Sequence, residues 1–243
     1  RILSKAQQLP GSDFLLRYLG FVGKEEMPLV IVPARLESAR LPEKPLQLIG
    51  NDPLIVHCWR RAMEADIGPV YVAADNETIC DVIEKAGGHA ILTGEAHSGT
   101  DRVALAAEIV DPKGTHQVVI NQQGDMPFIN PTHLRQFAAG LKDIVEMATA
   151  VCELGLVEVR GQDFFRTAVK SHIGLYAFTR HALRKFHSMP QSGREKDVRL
   201  EQLRAVGHME IAFIELPHMP QEVNTPEDLE AANSMVKAAG SHY

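Results

Sequence analysis

Four short apolar runs recur along the first half of the chain: Leu29–Val32, Val70–Ala74, His89–Leu92 and Val118–Ile120. The first has the pattern of a strand buried on both faces, and the others read as further strands. The stretches between them carry a helical period. Asp52-Pro53 reads as an N-cap and first helical position, followed by Ile55, Cys58, Trp59 and Ala62 on one face. After Asn76 come Ile79, Val82, Ile83 and Ala86, closed by Gly87-Gly88. Ser98 or Thr100 then caps a helix whose apolar face is Val103, Ala106, Ala107 and Val110. Strand alternating with helix in this way predicts a three-layer α/β domain around a mostly parallel sheet. Open sheets of that kind bind ligands beyond the carboxyl ends of their strands, so chemistry is expected in the loops that follow these runs.

Those loops are charged. Pro33 and Ala34 are expected to end the first run, and a loop follows carrying Arg35, Arg40 and Lys44, stiffened by Pro42 and Pro45. In a chain of net charge −6, three cations at one strand end point to a small polyanion such as a triphosphate. A solvated basic loop is the plainer reading of the charges alone. The run at 118–120 ends in Gly124-Asp125, which places a carboxylate at the same edge. Magnesium takes a carboxylate, several waters and substrate phosphates, so one such aspartate is enough to begin a site. Taken singly, a strand-end aspartate is equally an ordinary turn residue.

The totals narrow the classes. No basic run or patch is visible, which argues against nucleic-acid and membrane partners. Cys58, Cys80 and Cys152 are far apart and form no CxxC pair, so buried free thiols in a cytoplasmic, reducing compartment are expected. The chain has no 18-residue apolar window and no G-x-G-x-x-G after a strand, and its histidines show no metal spacing. The start lacks the apolar core of a secretory signal; Phe14, Leu15, Leu19 and Val22 suit one face of a short helix. His57 and Trp59 read as packing residues.

The stretch from Pro28 to Leu46, PLVIVPARLESARLPEKPL, joins a strand, P-A-R, four residues and R-L-P-x-K-P-L. With S-G-T-D-R at 98–102, N-Q-Q-G-D-M-P at 121–127, H-I-G-L-Y-A-F at 172–178, L-E-Q-L-R at 200–204 and V-N-T-P-E-D-L at 223–229, it resembles the sugar-acid cytidylyltransferases. The CMP-Kdo synthetase (3-deoxy-manno-octulosonate cytidylyltransferase) family is the nearest pattern. The resemblance runs from Pro28 to Ala232, leaving residues 1–27 as an N-terminal extension and 28–243 as one domain, with a lobe at roughly 148–206 inserted.

The resemblance implies a Rossmann-like nucleotidyltransferase fold with a smaller sugar-binding and dimerisation lobe, and a homodimer. The implied reaction is magnesium-dependent transfer of CMP from CTP to the anomeric hydroxyl of Kdo, for lipopolysaccharide synthesis. Another ulosonic, nonulosonic or 8-amino sugar acid, or a non-catalytic nucleotide-binding relative, is the alternative. Arg35, Arg40, Lys44 and Asp125 would carry the chemistry. Pro33, Ala34, Arg35, Lys44, Asp75, Ser98, Arg102 and Gln123 would bind the nucleotide. Arg166, His172, Tyr176, Glu201 and Gln202 would hold the sugar acid, with Glu201 and Gln202 on a helix that starts after Ser192. Asp125 and the residue at 224 would hold magnesium. This chain departs from the family in three places. Met126 replaces an acid, the segment after 154 is short, with Phe165–Thr167 as the remnant of a strand, and Asn224 stands where the family motif has the second metal-binding aspartate.

Overall fold

The computed structural model describes residues 27–142, 144, 146–159, 165–198 and 200–240, and of 154–159 and 165–169 it describes the backbone only. The helical face expected at 14–22 lies outside the described residues. In chain order the elements are β1 (Leu29–Ala34), the two-residue strands β2 (Leu48–Ile49) and β3 (Asp52–Pro53), α1 (Leu54–Ala65), β4 (Val70–Ala74), α2 (Glu77–Lys85), β5 (Ala90–Leu92), α3 (Gly99–Val110) and β6 (Val118–Gln122). There follow α4 (Pro131–Ala139), β7 (Met147–Val159), β8 (Phe165–Thr179), α5 (Arg180–Ser188), α6 (Gly193–Val198), β9 (Ile211–Glu215) and α7 (Pro226–Ala238). Single 3₁₀ turns occupy Lys44–Leu46 and Glu201–Arg204.

The main sheet has seven strands in the order β5-β4-β1-β6-β8-β7-β9. β1 pairs in parallel with β4 on one side and β6 on the other; β8 is antiparallel to both its neighbours, and β9 is parallel to β7. The chain therefore winds outward from β1 to β4 and β5, then returns to lay β6 on the opposite side of β1. That reversal makes a switch point between β1 and β6, where the loops leaving two adjacent strands part and open a crevice.

Both faces of the sheet are covered, and the period of two sorts the side chains. Val30, Val32, Ile120, Ile173 and Leu175 join one core with Ile55, Ile79 and Phe137 from the helices. Leu29, Ile31, Val119 and Phe178 join the other with Val103, Ala106 and Phe186. This explains why the early runs are apolar without alternation.

Three local readings of the sequence are corrected. Asp52 does not cap α1: it sits in β3 opposite Ile49, and both its carboxylate oxygens take Arg60, so the helix starts at Leu54 with Pro53 as N-cap. The helix expected after Ser192 does not run on to 206. It stops at Val198, and Leu200 is extended (φ −116°, ψ 101°) before the 3₁₀ turn. Val198 and Val206 are more than half exposed (56% and 52%), so no buried apolar stripe sustains one helix there. Finally, β1 runs on through Pro33 and Ala34, which pair with Ala73 and Ala74. Phe165–Thr167 does belong to a strand, opposite Val157–Val159 in the β7–β8 hairpin.

Candidate active site

The cationic loop leaves β1 exposed at Arg35 and Arg40 and returns toward the crevice at Lys44. Two devices hold it. Asp75, at the end of β4, accepts the Leu36 N–H at 2.9 Å through Oδ1, and Arg102 of α3 reaches its other oxygen at 3.5 Å. Arg102 also donates to Thr93 Oγ1 and the Gly94 carbonyl, at 2.7 and 2.8 Å. Its guanidinium is buried, which lowers its pKa from the usual arginine value against the opposing pull of Asp75. The second device is the 3₁₀ turn, entered through Glu43 in a left-handed conformation (φ 49°) and anchored by buried Pro45. Lys44 at its first position is thereby aimed inward.

Lys44 Nζ donates to Asp125 Oδ2 and to Asn224 Oδ1, each at 3.0 Å. Asp125 is carried there by close backbone contact. A Cβ on Gly124 would lie 2.6 Å from the Pro33 carbonyl oxygen, so only glycine lets the β6 loop pass this near β1. The Asp125 carbonyl then accepts the Val223 N–H at 2.9 Å, which draws in the segment before α7. That segment is fixed by the N-terminus of α7: Thr225 and Asp228 form a reciprocal capping box, and Asp228 also accepts the Asn224 N–H at 2.9 Å. Asn224 Nδ2 donates to Glu222 at 2.9 Å. Burial, and then the charge of Asp125, push the Glu222 carboxyl above its usual range. Met126 points the other way, fully buried in the core, so its departure from the motif leaves the crevice untouched.

A second half of the crevice is built on β8, α3 and the 3₁₀ turn at 201–204. Glu201 accepts the Thr100 N–H and the Gln123 side-chain amide, both at 2.9 Å. Thr100 Oγ1 accepts from Asn121, so three separate sequence motifs meet in one network. Burial raises the Glu201 carboxyl above its ordinary value despite these donors. Tyr176 donates to Gln202 at 3.0 Å, and burial raises its phenol. His172 is hydrogen-bonded to Thr149 Oγ1 at 3.0 Å, and burial lowers its pKa, favouring the neutral ring. Glu201 and Gln202 do point in different directions, one toward Gln123 and one toward Tyr176. Arg166 lies in β8 opposite Glu158, and its side chain is outside the described residues.

Beneath this network lies an ion cluster that sequence reading missed. Ser98 caps α3 as predicted, accepting the Asp101 N–H. Asp101 then takes two nitrogens of Arg204, at 2.8 and 3.0 Å, while Glu195 takes two at 3.0 and 2.6 Å. Arg204 also stacks over Phe186, 4.4 Å from the ring centroid. Both residues lay within motifs that had been singled out, Asp101 in S-G-T-D-R and Arg204 in L-E-Q-L-R. Their pairing across 103 residues had no local signal.

Comparison with known proteins agrees with this architecture. The cytidylyltransferase family model matches residues 29–159. The 3-deoxy-manno-octulosonate cytidylyltransferase of Methylorubrum extorquens (strain PA1) is 40% identical, over 86% of this chain and 96% of its own length. That of Paramagnetospirillum magneticum is 37% identical, over 88% and 99%. Among solved structures, CMP:2-keto-3-deoxy-manno-octonic acid synthetase complexed with CTP superposes with a TM-score of 0.77 at 28% identity, covering 88% of this chain and all of the other. The 4-diphosphocytidyl-2C-methyl-D-erythritol synthase of Anaerococcus prevotii shares the fold, with a TM-score of 0.61 at 13% identity. The chain belongs to the 3-deoxy-manno-octulosonate cytidylyltransferase family.

Proposed function

We propose that this protein transfers CMP from CTP to the anomeric hydroxyl of 3-deoxy-manno-octulosonate in a magnesium-dependent reaction that releases pyrophosphate. The observation that carries the reading is the meeting of Lys44, Asp125 and Asn224 at the switch point. Oxygens from two separate segments converge on one cation, the Lys44 ammonium.

The same oxygens suit a magnesium ion. Both are hard donors, and magnesium takes few protein ligands beside waters and phosphates. When bound, the ion would supply Lewis-acid charge neutralisation to the phosphoryl group being transferred. Asp125 and Asn224 would hold it. The remaining work falls to the chain itself. Arg35, Arg40 and Lys44 hold the triphosphate and stabilise the charge that develops on departing pyrophosphate. Asp75 and Arg102 keep the loop under Arg35 in place. Pro33 and Ala34 bring β1 to the nucleotide, with Ser98 and Gln123 on its other side. His172, Tyr176, Glu201 and Gln202, with Arg166, orient the sugar acid, and the neutral ring of His172 suits hydroxyl contact better than ion pairing.

A cytoplasmic homodimer making a precursor for lipopolysaccharide completes the reading. Three free cysteines, two of them buried, support the reducing compartment. Exposed Leu200 and Val206 beside the sugar half support a partner surface. Among the described residues no helix is long and apolar enough to cross a membrane.

Pyrophosphate release from CTP and magnesium is expected with Kdo. Release only with the 8-amino analogue would change the acceptor. Silence with both, in a protein that still binds CTP, would overturn the reading as a Kdo-type transferase.

A further inference from the structure

The oxygens at the cation position are short of charge. Asp125 contributes one negative charge and Asn224 none, whereas the family motif carries an acid at 224. Charge count is a main determinant of how tightly oxygen sites hold a hard divalent cation. A carboxylate is nevertheless at hand two residues earlier. Val223 is fully buried, while Glu222 and Asn224 on either side of it are partly exposed and hydrogen-bonded to each other. The Asn224 amide joins the two groups. Its Oδ1 accepts from Lys44, and its Nδ2 donates to Glu222 Oε2 at 2.9 Å. Besides Asn224, the charges that act on Glu222 are those of Asp125, Lys44 and Arg40, all groups of the same crevice. Glu222 is half-buried, and its only side-chain hydrogen bond among the described residues is to that amide.

We propose that Glu222 supplies the second negative charge of the divalent-cation site, with Asn224 as the neutral oxygen donor between it and Asp125. The acid that the family motif places at 224 is in effect replaced by one two residues upstream. This inference rests on the cation-site reading given above, and it assigns to that site a residue outside the family motif.

The test is binding of Mn²⁺, titrated into the protein with equimolar CTP and no acceptor, and followed by electron paramagnetic resonance of the free ion. Glu222→Gln keeps size and shape and is expected to weaken Mn²⁺ by about ten- to hundred-fold, the range for losing a group that supports a metal. Adding Asn224→Asp to Glu222→Gln is expected to restore most of that affinity, which a merely damaged fold would not do. Unchanged Mn²⁺ affinity in Glu222→Gln, or no recovery in the double variant, overturns the assignment. Asp125→Asn separates the two levels. If it weakens Mn²⁺ and Glu222→Gln does not, only the role of Glu222 fails. If Asp125→Asn also leaves Mn²⁺ unaffected, the cation-site reading fails with it.

Discussion

Asp125→Asn is expected to lower kcat by roughly three orders of magnitude, about 4 kcal/mol of transition-state stabilisation, while leaving CTP binding measurable. The substitution is isosteric, and Gly124 still seats the loop against Pro33, so position 125 keeps its place. What changes is charge. Lys44 would face two neutral amide oxygens in place of a carboxylate and an amide. A lysine relieved of its ion pair is freer to meet the triphosphate, so ground-state affinity for CTP should hold or rise slightly. The loss then falls on kcat and not on KM, the pattern of an interaction that matters in the transition state. Steady-state kinetics with CTP varied, together with direct CTP titration, reads the split. A variant that keeps kcat within about threefold would take Asp125 out of the chemistry.

Arg204→Met should be strongly destabilising. It removes a guanidinium that is 3% exposed and bonded on both sides, leaving Asp101 and Glu195 buried without their cation. Removing one partner of a buried pair costs about 3–5 kcal/mol, because the stranded charge stays in place. For a chain of this size that corresponds to roughly 6–20 °C in Tm. The pH dependence gives a second readout. Burial opposes ionisation of Asp101, yet hydrogen bonds from Arg204, Ser98 and His187 together hold its carboxyl below the usual aspartate range. A depressed folded pKa contributes stability that is present above the unfolded value, near 4, and is lost as pH falls through the lower folded value. The gap in Tm between wild type and Arg204→Met should therefore narrow below about pH 4. A gap of under about 2 °C at neutral pH would show that the cluster contributes little.

The sequence carried the fold because its signals are local and two-sided. Runs such as Leu29–Val32 read as buried strands since helices cover both faces of β1, and Asn76, Ser98, Asn130 and Thr225 all cap the helices that follow them. Asp125, Lys44 and Asn224 were legible as individual members of motifs, while their convergence depends on strand order, which no spacing encodes. Asp52 misled because its carboxylate had a stronger partner in Arg60 than the helix end offers. The 193–206 segment misled because Val198, Leu200 and Val206 face outward. Glu195, Arg204 and Glu222 were out of reach: each matters through a residue that tertiary structure alone brings near.

The antiparallel placement of β8 has a consequence for how such enzymes diverge. Arg35, Lys44 and Asp125 sit on turns leaving strand ends, whereas His172 and Tyr176 sit inside a strand, which is pinned where Tyr176 faces Asn121 and Leu175 faces Gln122 of β6. Beyond that anchor the β7–β8 ribbon continues for several more pairs, to Val159 opposite Phe165. Residues gained or lost at the far end of the ribbon leave the anchored pairs in register. The ribbon is thus a place where length can change while Tyr176 keeps its place opposite Asn121.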